Sequence, residues 1–587
     1  MSSPSAPPRA GGDSPGAERC ARVKRHIREN YYVVGEGILT TDGKSGICER
    51  PSTEASLRKF RFSRLLPKGE TIAPETLEKV ATAMTGAPAT PAPQPESADP
   101  VVPAGFTYLG QFVDHDLTLD NTAGALGEHV TVNELLQGRS PALDLDSLYG
   151  RGPDDRDDDR FYGPDKLKLR VGLTAAIAGD GTNVNLNGYD LPRVTQGSTK
   201  AERQRALIPD LRNDENLVVA QTHLAFIRFH NRVVDQLADA GVPSAILFER
   251  ARETVVRHYQ WMLRTDFLPR IVDRAIVEDV FTSGRRFFEV PGDGRANGHQ
   301  RYAKAGDTPT MPIEFSVAAY RLGHSMVRAT YDWNRVFAGR TGSLRLLFTF
   351  SGTSGNFNPA DPDVNNQESG LFERLPTNWA VDWRRMYDFA GEAGRPDLAG
   401  PAGFNVAQRI DTLMVNPLAT MPKGTFGGNG TNPPPIQLNL AFRNLVRANM
   451  VELASGQQAA TFLGLPPLTA EQIITGTGAG AVLDALDDDE RAQFGTRTPL
   501  WFYILREAEL NGGRLTGVGG RIVAEVFHRA MEGSRISIVR DPSWRPTLGP
   551  DPDTFRMVDL LLFAFEGRAE LLAPLGDTAP VTPPPAP

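Results

Sequence analysis

Cysteine is nearly absent from this sequence: Cys20 and Cys48 are the only two in 587 residues. Two thiols cannot staple a chain of this length, and they do not form a CxxC pair, so a disulfide framework and a thiol-based zinc or redox motif are excluded. Long apolar runs are lacking too. The most apolar stretches, such as Leu560 to Phe565, fall far short of the roughly 20 residues that span a bilayer, so no transmembrane segment is predicted. Positive charge has no excess: 63 Lys and Arg stand against 71 Asp and Glu, a net charge of -8, which leaves no basic footprint for nucleic acid or anionic lipid. The segment from Met1 to Gly16 is rich in Pro, Ser and Gly and is followed by charged residues rather than an apolar core, so no secretory signal is predicted. The expectation is a soluble cytoplasmic protein, with leaderless export as the alternative, whose business is small-molecule chemistry. Its 40% hydrophobic and 23% charged residues are ordinary for a folded chain.

Proline-rich sequence marks the N-terminal tail, residues 87–103 and residues 580–587. The segments flanking 87–103 do not stand as separate cores, so that stretch reads as a surface loop. The predicted organisation is a disordered tail over residues 1–20, one domain over 21–575 and a disordered tail over 576–587, with no internal repeat. Apolar residues recur at helical spacing from Asn216 to Asp239, Ile246 to Leu268, Phe315 to Val327, Leu438 to Leu453 and Leu500 to Met531, which predicts long helices. Strand signals are few, the better ones being Leu344 to Phe350 and Phe287 to Val290, and Gly- and Pro-rich loops are expected at 291–298 and 424–435. The class is mainly α.

Four clusters carry chemistry. On a helix, Gly110 to Asp116 puts Leu109, Phe112, Val113 and Leu117 on one side and Gln111 with His115 on another. Asp116 falls among the apolar positions, where an unpaired carboxylate is costly, so a cation is expected against it. The bland alternative is an acidic first turn with a surface histidine. Ser140 to Asp146 offers oxygen-bearing side chains at Ser140, Asp144 and Asp146 with a carbonyl at Ala142 between them, a set suited to calcium, or otherwise a turn. The acidic stretch Asp154 to Asp159 reads as a solvated loop. In Asp210 to Glu215, Arg212 and Glu215 lie three apart before a long helix and either share a cavity or form an exposed ion pair at a helix start. In Tyr320 to His324, His324 shares a helix face with Val317, Tyr320, Arg321 and Val327, and Gly323 removes a side chain beside it, so a flat ligand has room to approach; a packed core histidine is the alternative.

Taken together and in this order, the clusters resemble the animal haem peroxidase branch of the peroxidase-cyclooxygenase superfamily, with bacterial members as nearest kin. The resemblance runs from about Phe60 to Phe563 and takes in Arg443 to Arg447 and Phe462 to Pro466. It implies a single large α-helical domain holding haem b, with His115 as distal base, Gln111 as its companion, Arg212 as distal arginine and His324 as axial ligand to the haem iron. It further implies that Asn444 accepts from the other nitrogen of His324, that Asp114 and Glu215 are the carboxylates open to ester links with haem, and that Arg321 and Arg447 lie near its propionates. Asp116, Ser140, Ala142, Asp144 and Asp146 match the calcium loop. Asn216 stands where myeloperoxidase has a sulfonium-forming methionine, so at most two covalent links and no chloride oxidation are expected.

The implied activity is reduction of hydrogen peroxide through an oxoferryl intermediate and oxidation of phenolics, bromide, iodide or thiocyanate, a reaction that belongs to the response to oxidative stress. One rival is a fatty-acid dioxygenase or cyclooxygenase, which uses a tyrosine three residues before the axial histidine. Arg321 holds that position here, and Tyr320 is one residue off and at another helical angle. The other rival is a calcium-dependent adhesion module that keeps the fold without catalysis. Neither the electron donor nor the oligomeric state is legible.

Overall fold

The computed structural model describes residues 60–86, 96–97, 101–122, 126–179, 181–198, 200–292, 302–351, 373–421, 434–579 and 581. Helices dominate. The longest are α1 (Pro74–Thr85), α2 (Gly105–Leu117), α3 (Leu217–Asp239), α4 (Ser244–Met262), α5 (Arg274–Ser283), α6 (Leu440–Met450), α7 (Asp488–Thr496), α8 (Leu500–Leu510), α9 (Gly517–Gly533) and α10 (Met557–Ala564). Strands among the described residues pair only two at a time, as in Phe62–Ser63 alongside Met311–Pro312. The mainly-α expectation holds. Buried apolar side chains from Phe62 to Val581 form one connected cluster.

α3 is the central element. Asn216 starts it by accepting from the Val219 N–H at 3.0 Å, the side-chain cap that a free helix N-terminus needs. Its first fourteen residues are all buried, because α2, α4 and α10 pack against it from different sides. Gly105 opens α2 at a close approach: a Cβ there would lie 2.2 Å from the Tyr387 ring, so no larger residue lets α2 sit this low. α4 runs on into a π-helical segment, Leu263–Phe267, and then a last turn to Ile271. The wider π-turn admits one more residue per turn and sets Asp266 to accept from the Met557 N–H at 2.9 Å at the start of α10.

Four expected elements are built differently. Phe315 to Val327 is not one helix but a turn at Ile313–Ser316, a 3-10 turn at Ala319–Leu322 and a turn at Gly323–Met326. Ala318 leaves helical geometry (φ -132°, ψ -72°), and the carbonyls set free find other donors: Arg321 Nε gives to Ser316 O at 3.1 Å and Trp501 Nε1 to Arg321 O at 3.3 Å. Leu500 to Met531 is two helices, α8 and α9, parted at Gly512 and Gly513, both at positive φ. Leu344 to Phe350 is a helical turn, Leu344–Thr349, not a strand; Ser343 caps it and its two buried residues, Leu344 and Leu347, are three apart rather than alternate. Val290 pairs with Tyr302, but Phe287 to Glu289 do not form a strand. Most of the loops expected at 291–298 and 424–435, much of 87–103, the whole of 1–20 and most of 580–587 lie outside the described residues, as do both cysteines. Among the described residues no helix is long and apolar enough to cross a membrane.

Candidate active site

One cavity of about 940 Å³ receives polar groups from three elements: Gln111 and Asp114 from α2, Glu215 and Asn216 from the turn before α3, and Arg321 and His324 from the broken segment. Phe106, Phe267, Leu344, Phe348 and Met421 make up much of the apolar remainder. The mix of a few polar groups in an apolar wall is that of a ligand site. The cluster on α2 is thus buried in the helix's second half, not an acidic first turn with a surface histidine.

A single turn, Leu211–Asp214, delivers most of the second polar set. Asp210 caps it, accepting from Arg212 N at 3.0 Å and from the guanidinium at Nε (3.1 Å) and Nη2 (2.8 Å). Arg139 also binds Asp210. Burial pushes the Asp210 carboxyl up, but Arg212 and Arg139 outweigh it and hold it well below the usual range. Arg212 is buried, not an exposed ion pair. Its Nη2 reaches His115 O at 3.1 Å and Thr118 O at 2.5 Å, and with Arg447 it lines a small adjoining cleft rather than the main cavity. Arg447 pairs there with Asp120.

His115 is fully buried. Its Nδ1 lies 2.8 Å from Asn213 Oδ1, and its Nε2, with no hydrogen-bond partner, lies 3.7 Å from Glu215 Oε1. Burial, helped by Arg212, pulls its pKa down to about 3, so the ring is neutral. Gln111 is clamped at both ends: Nε2 donates to Glu215 Oε1 at 2.8 Å, and Oε1 accepts from Asn216 Nδ2 at 2.9 Å. Glu215 Oε2 is buried without a partner, and burial pushes that carboxyl well above its usual range. Asp114 accepts from Thr118 Oγ1 at 3.2 Å and is pushed up to about 6 by burial.

On the broken segment, His324 stands edge-on to Trp501 with ring centroids 6.3 Å apart. Burial lowers its pKa to about 3. Asn444 on α6 meets it, but with the opposite polarity to the one expected. Asn444 Nδ2 lies 2.8 Å from His324 Nδ1, because Asn444 Oδ1 is taken by an N–H of Arg321. In this setting the amide donates to the ring instead of accepting from it. A Cβ on Gly323 would meet nothing within 4 Å, so the space expected beside His324 is there. Tyr320 lines the same cavity with its hydroxyl buried and unpartnered. The helical angle used to set Tyr320 apart from Arg321 has no force, since the segment is not a continuous helix.

The oxygen set around Asp116 is assembled but not converged. Asp116 Oδ1 accepts from Ser147 N at 3.4 Å and Ser147 Oγ at 3.1 Å, and Oδ2 from Leu145 N and Tyr259 Oη, both at 3.3 Å. Asp146 Oδ2 accepts from Ser140 N at 3.0 Å, Asp144 binds Ser534 Oγ, and Ala142 O accepts from Asp144 N at 2.9 Å. Asp146 Oδ1 is buried with no hydrogen-bond partner, 3.6 Å from Arg139 Nη1. Burial and the neighbouring Asp146 and Asp144 push Asp116 well above its usual range. Among the described residues, no group of three or more His, Cys, Asp or Glu side chains is placed to hold a metal ion.

Sequence reasoning missed Asn213 and His223. Asn213 lies inside the singled-out run 210–215, whereas His223 falls in the first half of α3, buried on every side, where helical spacing does not single it out.

The animal haem peroxidase family profile matches residues 96–353. Heme peroxidase 2 of Caenorhabditis elegans is 21% identical over 418 residues, 70% of this chain and 49% of that protein. The chain spans less than half the length of the curated relatives it matches, between 14% and 49%. Two solved structures share the fold at 14% identity. Peroxidase A from Dictyostelium discoideum has a TM-score of 0.54 and aligns over 87% of this chain and 94% of its own; a fatty acid alpha-dioxygenase of Arabidopsis thaliana has 0.50, over 90% and 82%. Residues 96–353 thus match the animal haem peroxidase family, and the chain shares its fold with a peroxidase of known structure.

Proposed function

We propose that this protein is a haem peroxidase that reduces hydrogen peroxide and oxidises small donors. What carries the reading is the single cavity onto which His324, from one part of the chain, and Gln111 and Glu215, with His115 directly behind, all converge. The residues fit a haem. His324 has open space at Gly323 beside it, and three buried polar atoms, His115 Nε2, Glu215 Oε2 and Tyr320 Oη, lack partners, which native interiors rarely leave so.

His324 would hold the iron and Arg321 a propionate, Arg447 would reach the other only from the adjoining cleft where it pairs with Asp120, and Asp114 and Glu215 are the carboxylates available for ester links. Haem supplies the redox centre that takes two oxidising equivalents from peroxide and returns them to donors. The chain's own part is proton handling and charge. His115, neutral and bare at Nε2, takes the first proton of hydrogen peroxide and returns it to the leaving oxygen, a role typically worth roughly 10²–10⁴ in rate. Arg212, with Asp210 behind it, keeps a fixed positive charge next to the His115 backbone. Gln111, clamped by Glu215 and Asn216, is held in register beside it.

The apolar wall of Phe106, Phe267, Leu344 and Phe348 suits phenolic donors, with bromide, iodide and thiocyanate as small alternatives. The site of action is the cytoplasm, where removal of peroxide serves the response to oxidative stress. The reading extends to calcium at Asp116, Ser140, Ala142, Asp144 and Asp146, supported by the donor chemistry: hard oxygen ligands, with Asp146 and Asp144 close enough to Asp116 to oppose its ionisation.

The test is expression with haem supplementation. The expected result is a Soret band and peroxide-dependent oxidation of a phenol, with both lost in His324→Ala while far-UV circular dichroism is unchanged. A folded wild-type protein without a Soret band overturns the reading.

A further inference from the structure

Behind His115 lies a second imidazole to which the reading above gives no work. Asn213 sits between the two rings, with Oδ1 2.8 Å from His115 Nδ1 and Nδ2 2.9 Å from His223 Nδ1. His115, Asn213 and His223 each have a relative exposure of 0%, so water is not a competing partner for any of them. A side-chain amide has a donor end and an acceptor end, and a neutral imidazole has one nitrogen of each kind. A chain of three such groups therefore has a direction.

That direction follows from the contacts. With the amide NH₂ facing it, His223 Nδ1 is bare and the proton of that ring sits on Nε2, which is buried without a hydrogen-bond partner. The remaining end of the amide, Oδ1, faces His115 Nδ1, which must carry a proton. His115 Nε2 is then bare, and it is the nitrogen near Glu215 at the cavity. Both rings can meet these terms because each is fully buried and presents one nitrogen to one end of the amide. The chain has one other self-consistent setting, with the amide turned over, and that setting moves the His115 proton to Nε2 and removes the base.

We propose that Asn213, oriented by His223, is the positioning residue that fixes the proton of His115 on Nδ1 and leaves Nε2 free to take the proton of hydrogen peroxide. The inference rests on the peroxidase reading. His223 fills a specific part in it: with its bare nitrogen in place, the amide nitrogen of Asn213 is committed and only the oxygen is left for His115. Without that nitrogen the amide turns over at no hydrogen-bond cost, and the two His115 tautomers mix. The supporting geometry is local and rigid. Asn213 lies one residue after Arg212 in the same turn, with its backbone N–H on Asp210 O at 3.0 Å, and the His223 ring packs against Phe112 with centroids 5.7 Å apart.

Two measurements test it. In haem-loaded protein labelled with ¹⁵N histidine, in the diamagnetic ferrous carbon monoxide form, His115 should show a protonated Nδ1 and a bare Nε2, and His223 the reverse. The opposite assignment overturns the proposal without any variant. In stopped-flow reaction with hydrogen peroxide, Asn213→Leu should lower the bimolecular rate by roughly 10- to 100-fold with the Soret band unchanged, the range seen for supporting hydrogen-bond partners. Asn213→Asp, which keeps an acceptor for Nδ1–H, should recover most of it, and His223→Leu should fall between. A fully active Asn213→Leu overturns the inference alone, whereas a wild-type protein that binds no haem overturns the peroxidase reading beneath it.

Discussion

Asn444 presents its amide nitrogen, not its oxygen, to His324: Nδ2 is 2.8 Å from His324 Nδ1, with Arg321 donating to Oδ1 on the far side. An amide nitrogen only donates, so the ring accepts at Nδ1 and carries its proton on Nε2, the nitrogen an iron ligand must have bare. Ligation through Nε2 therefore requires the amide to turn, against the pull of Arg321. Asn444→Asp offers an acceptor in either orientation and still satisfies Arg321. We expect it to bind haem more tightly and to lower the iron reduction potential, and Asn444→Leu to weaken haem binding by roughly 10- to 100-fold. Haem titration with spectroelectrochemistry decides; identical potentials in all three proteins would remove Asn444 from the account.

Asp210 joins two buried cations, Arg212 and Arg139. Replacing it by Asn leaves both guanidinium groups short of a counter-charge, which for buried pairs costs about 3–5 kcal/mol. Its folded pKa lies well below the unfolded value, so this contribution is present above roughly pH 4 and fades as pH falls further. Denaturant unfolding of Asp210→Asn at pH 7 and pH 3 should show a large difference from wild type at the first and a somewhat smaller one at the second.

Asp114 behaves in the opposite sense. Burial raises its pKa to about 6, so folding is penalised as pH rises from roughly 4 through 6, and the penalty persists above. Before haem is loaded, Asp114→Asn should match wild type at pH 4 and exceed its stability at pH 8, by up to about 3 kcal/mol. A gain at pH 4 instead would assign the effect to packing. In a protein whose Asp114 is ester-linked the pH dependence disappears.

How much of this was legible in the sequence depends on how each residue is placed. α2 and α3 were readable because their apolar positions repeat at helical spacing and their polar exceptions, Gln111, His115 and Asn216, stand out against it. The segment carrying His324 was read as one helix because its apolar periodicity continues through Ala318; the break depends on Trp501 and the Arg321 side chain taking carbonyls that a helix would have used, and neither partner is local. The polarity of the Asn444 contact was illegible for the same reason, since it is decided by a third residue. His223 looked like any buried helix position until Asn213 was seen beside it.

Calcium is the expectation that most needs a direct measurement. Asp116 already accepts from Ser147, Leu145 and Tyr259, so an ion entering there displaces hydrogen bonds as it draws in Asp144 and Asp146. If it binds, elemental analysis should find calcium in the purified protein, and a chelator should lower both thermal stability and peroxide turnover, because Asp116 adjoins His115. Full turnover and unchanged melting in chelated, calcium-free protein would leave Arg139 as the charge partner of this cluster.

The π-helical segment after α4 makes the molecule unusually intolerant of a length change at one spot. Deleting a single residue between Leu263 and Phe267 would close the wide turn into an ordinary helical repeat and change which of these side chains faces inward. Phe267 would swing away from the cavity and Asp266 from the first turn of α10 together, so the same shortening would reshape the donor's seat and unfasten a distant helix. Length variation among relatives should therefore collect in the surface loops and spare these five positions.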